Sequence, residues 1–127
     1  MRRNKLLILD DNRSFAESLC DVLSQQGFEV KWASQSAQAR MLAMQFTPDI
    51  LVVDINLVTA SGIEVAQQFA REGLAGGFVF LTGSVDVDHR HIPDSLRSRA
   101  VVLHKPVAKE DLLGAITALT DSKEPAK

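Results

Sequence analysis

Five polar residues in this chain stand immediately after short apolar runs. "LLILDD" carries Leu6–Leu9 into Asp10 and Asp11, "ILVVD" ends on Asp54, "FVFLT" on Thr82, and "VVLHK" on Lys105. Three carboxylates, a hydroxyl and an ammonium suit chemistry on a phosphoryl group. Oxygen donors without His or Cys beside them favour a hard divalent cation. Mg²⁺ takes one or two carboxylates, keeps waters, and is completed by phosphate oxygens. A carboxylate can itself be the nucleophile, giving an aspartyl-phosphate. Thr82 and Lys105 suit a phosphate as hydrogen-bond donor and point charge. The paired aspartates need compensation: like charges about 4 Å apart repel by roughly 4 kcal/mol at an effective dielectric near 20. Mg²⁺, helped by Lys105, is the expected source.

The elements that must bring these residues together follow from periodicity. Strands are expected at Leu6–Leu9, Phe28–Trp32, Ile50–Val53, Phe78–Leu81 and Ala100–Leu103. In Ser14–Gln26, Phe15, Leu19, Val22 and Leu23 share one helical face. "SAQARMLAMQ" gives a second helix. "GIEVAQQFAREG" gives a third, with Ile63, Val65, Ala66 and Phe69 inward, and "KEDLLGAITALT" a last one on Leu112, Leu113, Ile116 and Leu119. Gly27 and Gly73 stand where helices end. Residues 83–99 are poor in apolar side chains, and Pro93 predicts a fourth helix that is short and starts near it.

Strict βα alternation implies a parallel sheet with helices on both faces. "LLIL", "ILVV" and "FVFL" are continuously apolar, as strands covered on both faces must be. "FEVKW" alternates, which makes the second strand an edge with one wet face and Trp32 a packing residue. The doubly wound, flavodoxin-like order 2-1-3-4-5 puts that strand at the edge. The five polar strand ends then share one rim. The order reverses between strands 1 and 3, where such sheets bind ligands, so the three aspartates meet there and Asp54 is the natural acceptor. Singly, each aspartate reads equally well as a turn residue or helix N-cap. Their order, each closing an apolar strand, is what carries the argument.

Bulk properties narrow the function class. One domain of 127 residues with a net charge of −2 gives no basic surface for nucleic acid and no polybasic membrane patch. No apolar run approaches the roughly 18 residues of a membrane span. The basic cluster "MRRNK" reads as a solvated terminus, and its apolar continuation is too short for a signal peptide. A single Cys20, among helix apolars, excludes an internal disulfide and fits a cytoplasmic chain. His89 and His91 read as solvated loop residues rather than zinc ligands. His104 reads as an outward-facing contact residue. Residues 1–120 form the domain, and 121–127 a polar tail or the start of a linker.

"LILDDN", "VVDINLVTASGIE", "FLTGS" and "LHKPV" resemble, in order and spacing, the receiver domain of two-component response regulators, over residues 4 to 120. The resemblance implies that Asp54 is the phosphoacceptor, Asp11 a direct Mg²⁺ ligand, and Asp10 a ligand acting mainly through water. It makes the backbone carbonyl of Asn56 a further ligand, Thr82 the switch hydroxyl and Lys105 the phosphate partner. A cis Lys105–Pro106 bond and a helix-opening Gly62 are implied too. Asn56 and Ser84 would tune the lifetime of the phosphoryl group. Such a domain is not an enzyme in the usual sense. It takes its phosphoryl group from a sensor histidine kinase or phosphotransfer protein and acts on a downstream protein or output domain, with no direct contact to nucleic acid or membrane.

The chain departs from the family at two places. Val102 replaces an aromatic that usually rotates with the switch threonine, and Val58 and Ala60 replace a proline and a methionine after the acceptor. Val102 favours an alternative, a receiver-like interaction module independent of phosphorylation. The complete Asp-Asp-Asp-Thr-Lys set opposes it. A flavin-type phosphate loop is missing after strand 1, and a dehalogenase-type phosphatase would need an aspartate where Asn56 stands.

Overall fold

In the computed structural model, which describes residues 4–58 and 60–121, strands and helices alternate along the chain. They are β1 (Lys5–Leu9), α1 (Arg13–Gln25), β2 (Glu29–Ala33), α2 (Ser36–Phe46), β3 (Ile50–Asp54), α3 (Gly62–Arg71), β4 (Gly77–Thr82), α4 (Asp94–Arg97), β5 (Ala100–His104) and α5 (Lys109–Asp121), with a 3-10 turn at His89–His91. The sheet is parallel, in the order β2-β1-β3-β4-β5. The doubly wound fold read from the sequence is therefore the observed one.

Alternate strand residues feed two cores. Leu7, Leu9, Leu51, Val53, Phe78 and Phe80 pack against α2, α3 and α4. Leu6, Ile8, Ile50, Val52, Val79 and Leu81 pack against α1 and α5. β2 is an edge, with Glu29 and Lys31 exposed and Val30 and Trp32 half-buried. The guanidinium of Arg13 lies 5.8 Å from the Trp32 ring.

Strand limits differ from the apolar runs for local reasons. β2 starts one residue late because the Phe28 N–H is committed to Leu23 O at 3.3 Å, closing α1 through Gly27 at φ 98°. β3, β4 and β5 each extend into a polar residue, with Asp54 opposite Leu81 and Thr82 opposite His104. Ladder pairing uses the backbone and does not require an apolar side chain. This extension places the site residues on the sheet itself.

The fourth helix is as short as Pro93 implied: one turn, N-capped at that proline. Fully buried Ile92 and Leu96 anchor it, each a burial worth about 1.5–3 kcal/mol. Cys20 is half-buried on α1, as expected of a packing residue, and burial pushes its thiol pKa up. No helix among the described residues is long and apolar enough to cross a membrane. Of the polar tail, the part from 122 onward lies outside the described residues, as do residues 1–3 of the basic cluster.

Candidate functional site

Asp10 follows β1 and is almost fully buried, 2% exposed. Its Oδ1 accepts from the Asn12 N–H at 2.8 Å and its Oδ2 from the Lys105 ammonium at 3.0 Å. Asn12 in turn caps α1, its side chain accepting from Phe15 N at 3.0 Å. The cap sets the first turn of α1 so that the Phe15 ring lies 4.5 Å from Lys105 Nζ.

Asp54 ends β3 opposite the same cation. Its Oδ2 accepts from Lys105 Nζ at 3.0 Å and its Oδ1 from the Asn56 N–H at 2.9 Å. The connection to α3 folds back tightly: Gly62 N donates to Ile55 O at 2.8 Å, and Asn56 bridges to Ser61. A Cβ at Gly62 would collide with the carbonyl group of Asp54. Glycine here is a requirement of close approach, not of dihedral freedom.

Thr82 ends β4, fully buried, and its hydroxyl accepts from the Ser84 N–H at 3.0 Å. Lys105 N donates to Thr82 O at 2.8 Å, so the ladder carries Lys105 to the rim beside it. The Lys105–Pro106 bond is cis.

Lys105 supplies its expected share of the compensation at Asp10 and reaches Asp54 as well, bridging the two carboxylates. Asp11 is turned to the β3–α3 connection, where its Oδ2 accepts from the Val58 N–H. Burial pulls the Lys105 pKa down, but hydrogen bonds to Asp54 and Asp10 and their charges outweigh it and hold it above 10.5. One ammonium against three carboxylates still leaves an excess of negative charge at the rim.

Those carboxylates fit a hard cation by chemistry, being oxygen donors with no nitrogen or sulfur ligand beside them. Their present spacing serves Lys105 and Val58 instead. Among the described residues, no three His, Cys, Asp or Glu side chains are gathered as a ready-made metal cluster.

His89 and His91 are exposed residues of the β4–α4 connection, as read from the sequence, and each also makes a contact: His89 Nε2 lies 3.1 Å from Ala100 O, and His91 Nδ1 accepts from Asp88 N at 3.1 Å. His104 does face outward, yet its Nε2 lies 2.7 Å from Val87 O. Sequence reasoning placed Phe15 only on the apolar face of α1. Its position one turn past the paired aspartates was the available signal for a role at the rim.

Fold and rim together define a doubly wound α/β domain with aspartates and a lysine along its strand-end rim. The sequence profile of the response regulator receiver domain matches residues 6–117, and the chain belongs to that family. It is 31% identical over 121 residues to the response regulator MprA of Mycobacterium leprae, covering 95% of this chain and 53% of that protein. MprA of Mycobacterium tuberculosis strain H37Ra is equally similar, with 52% covered. The chain thus spans about half the length of the curated relatives it matches. Among solved structures, Vibrio cholerae chemotaxis protein CheY4 is similar at TM-score 0.82 and 21% identity, over 93% of this chain and 99% of that one. The signal receiver domain of an HD domain-containing protein from Pseudomonas fluorescens Pf-5 reaches 0.84 at 20% identity, over 95% and 97%. These structures speak to the fold alone.

Proposed function

We propose that this receiver domain accepts a phosphoryl group on Asp54 from the phosphohistidine of a sensor histidine kinase or phosphotransfer protein, and that the modification switches a protein-interaction surface. The observation that carries the reading is the single ammonium shared by Asp10 and Asp54, each at 3.0 Å from Lys105 Nζ. A lysine held at the acceptor carboxylate is placed to neutralise phosphoryl oxygens as they arrive.

In the transfer, an Asp54 carboxylate oxygen attacks phosphorus in line, the bond to the donor breaks, and the donor leaves with the bonding pair. Lys105 exchanges its contact with Asp54 Oδ2 for a phosphoryl oxygen while staying on Asp10. Thr82, one rung across the β3–β4 pair from the acceptor, turns its hydroxyl proton to another phosphoryl oxygen. Asp10, Asp11, Asp54 and the Asn56 carbonyl are the groups that would hold Mg²⁺. When bound, the ion supplies charge neutralisation that one lysine cannot. Hydrolysis resets the domain: water attacks phosphorus and Asp54 departs as carboxylate, with Asn56 and Ser84 flanking the approach.

Two strongly exposed apolar side chains sit on the connections around the acceptor, Val58 at 84% and Val85 at 86% exposure. They suit docking of a protein donor. A downstream protein or an attached output domain reads the switch, with the chain at work in the cytoplasm. Incubation with Mg²⁺ and acetyl phosphate, followed by intact mass, tests the reading. One phosphoryl adduct that is absent from Asp54→Asn supports it. An unmodified wild-type chain that also fails to bind beryllofluoride would favour the phosphorylation-independent module.

A further inference from the structure

The connection from β4 to α4 is tied to β5 by two histidine rings. On β5, Arg99 O and Lys105 N bond to β4, so the backbone groups of Ala100, Val102 and His104 face the open edge of the sheet. His89 Nε2 approaches Ala100 O at 3.1 Å, at the start of β5, and His104 Nε2 approaches Val87 O at 2.7 Å, at its end. A carbonyl oxygen only accepts, so both ring nitrogens carry the proton and donate. The segment between Val87 and His89 is held along the strand at both ends.

The same segment starts at the site. Ser84 N donates to Thr82 Oγ1 at 3.0 Å, Val87 N donates to Ser84 O at 3.3 Å, and Val87 O accepts from His104. His104 is also the ladder partner of Thr82. Thr82, Ser84, Val87 and His104 thus form a closed circuit, and moving the Thr82 hydroxyl strains the hold on Val87. Ala100 and Val102 pack on the α4 side of the sheet, and strand alternation puts His104 on that side too. Val102 offers no polar atom to the segment; the ring two residues on does.

We propose that His104 is a positioning residue for the Asp54 switch: it latches the β4–α4 connection to β5 in the unphosphorylated domain and must release Val87 when Thr82 moves. The proposal rests on the reading of Asp54 as phosphoacceptor. A latch present only before phosphorylation opposes the change, so losing it favours the phosphorylated form.

Amide hydrogen exchange on the full chain without ligand, for wild type, His104→Ala and His104→Gln, tests the latch itself. Glutamine keeps a side-chain N–H donor, and position 104 is exposed enough to accept it. Amides of 84–91 should exchange about threefold to tenfold faster in His104→Ala, the effect of one neutral hydrogen bond, and should return toward wild type in His104→Gln. With Mg²⁺, beryllofluoride should bind His104→Ala about threefold to tenfold more tightly than wild type, again one hydrogen bond's worth. Unchanged exchange in His104→Ala, a glutamine variant that behaves like alanine, or unchanged beryllofluoride affinity would each overturn the latch. Wild type that binds no beryllofluoride would instead overturn the reading of Asp54 and the coupling with it, while the ligand-free exchange would still judge the contact.

Discussion

The ring of Phe15 lies 4.5 Å from the Lys105 ammonium, the same ammonium that joins Asp10 and Asp54. The lysine is therefore held both by charge and by an aromatic face. Such a contact is worth about 0.5–2 kcal/mol, depending on how far it is desolvated. Phe15→Leu should destabilise the wild type by roughly that much more than it destabilises a Lys105→Met background, since a double-mutant cycle isolates the pairwise contribution. Urea unfolding of the four proteins measures it. Phe15→Trp, which keeps a π face, should leave the coupling in place.

Removing Lys105 leaves Asp10 buried without its cation. Breaking such a pair costs about 3–5 kcal/mol, and Lys105→Met should lose stability on that scale in chelator-containing buffer. Asp10→Asn in the same chain should recover part of it. Urea midpoints check both.

The pairing also has a pH signature. The folded pKa of Lys105 is raised above 10.5, so the folded state holds that proton more tightly than the unfolded state. The stabilisation is fully present below pH 10.5 and is lost as pH rises through the folded value. The stability difference between wild type and Lys105→Met should be flat from neutral pH to about 10 and shrink above 10.5. A difference that grew with pH would contradict the pairing.

Asp11 Oδ2 accepts from the Val58 N–H. If Asp11 is a metal ligand, Mg²⁺ draws on the same carboxylate and changes the surroundings of the Val58 N–H. The Val58 amide resonance should shift on Mg²⁺ addition and return with chelator. In Asp11→Ala the response should disappear. An unmoved Val58 amide in a protein that binds Mg²⁺ would take Asp11 out of the ligand set.

Gly62 lies so close to the Asp54 carbonyl group that a Cβ has no room there. Gly62→Ala should force β3 and the α3 start apart and cost about 1–3 kcal/mol, the usual penalty of overpacking. Because the displaced backbone carries Asp54, phosphorylation by acetyl phosphate should slow by more than stability alone accounts for. Gly114→Ala, where a Cβ meets nothing within 4 Å, serves as the control.

Much of the architecture was legible because apolar runs and polar strand ends report burial directly. The edge character of β2 was written in the alternation of Glu29 and Lys31 with Val30 and Trp32, and the short α4 in Pro93. The gathering of Asp10, Asp54 and Lys105 followed from the parallel order. Which carboxylates the ammonium joins was not legible. That depends on the Asn12 and Val58 N–H groups, which fix the directions of Asp10 and Asp11. The Phe15 contact was hidden because it forms between elements distant in sequence and the ring fits the apolar face of α1. His104 was legible as an outward-facing contact residue, but its partner Val87, in the β4–α4 connection, was not.

Reaction of the Mg²⁺ and acetyl phosphate product with borohydride, followed by peptide mass spectrometry, locates the acceptor, because an aspartyl phosphate is reduced to homoserine where it stands. The expected result is homoserine at position 54 alone. Homoserine at another aspartate would contradict the assignment of Asp54 as the acceptor.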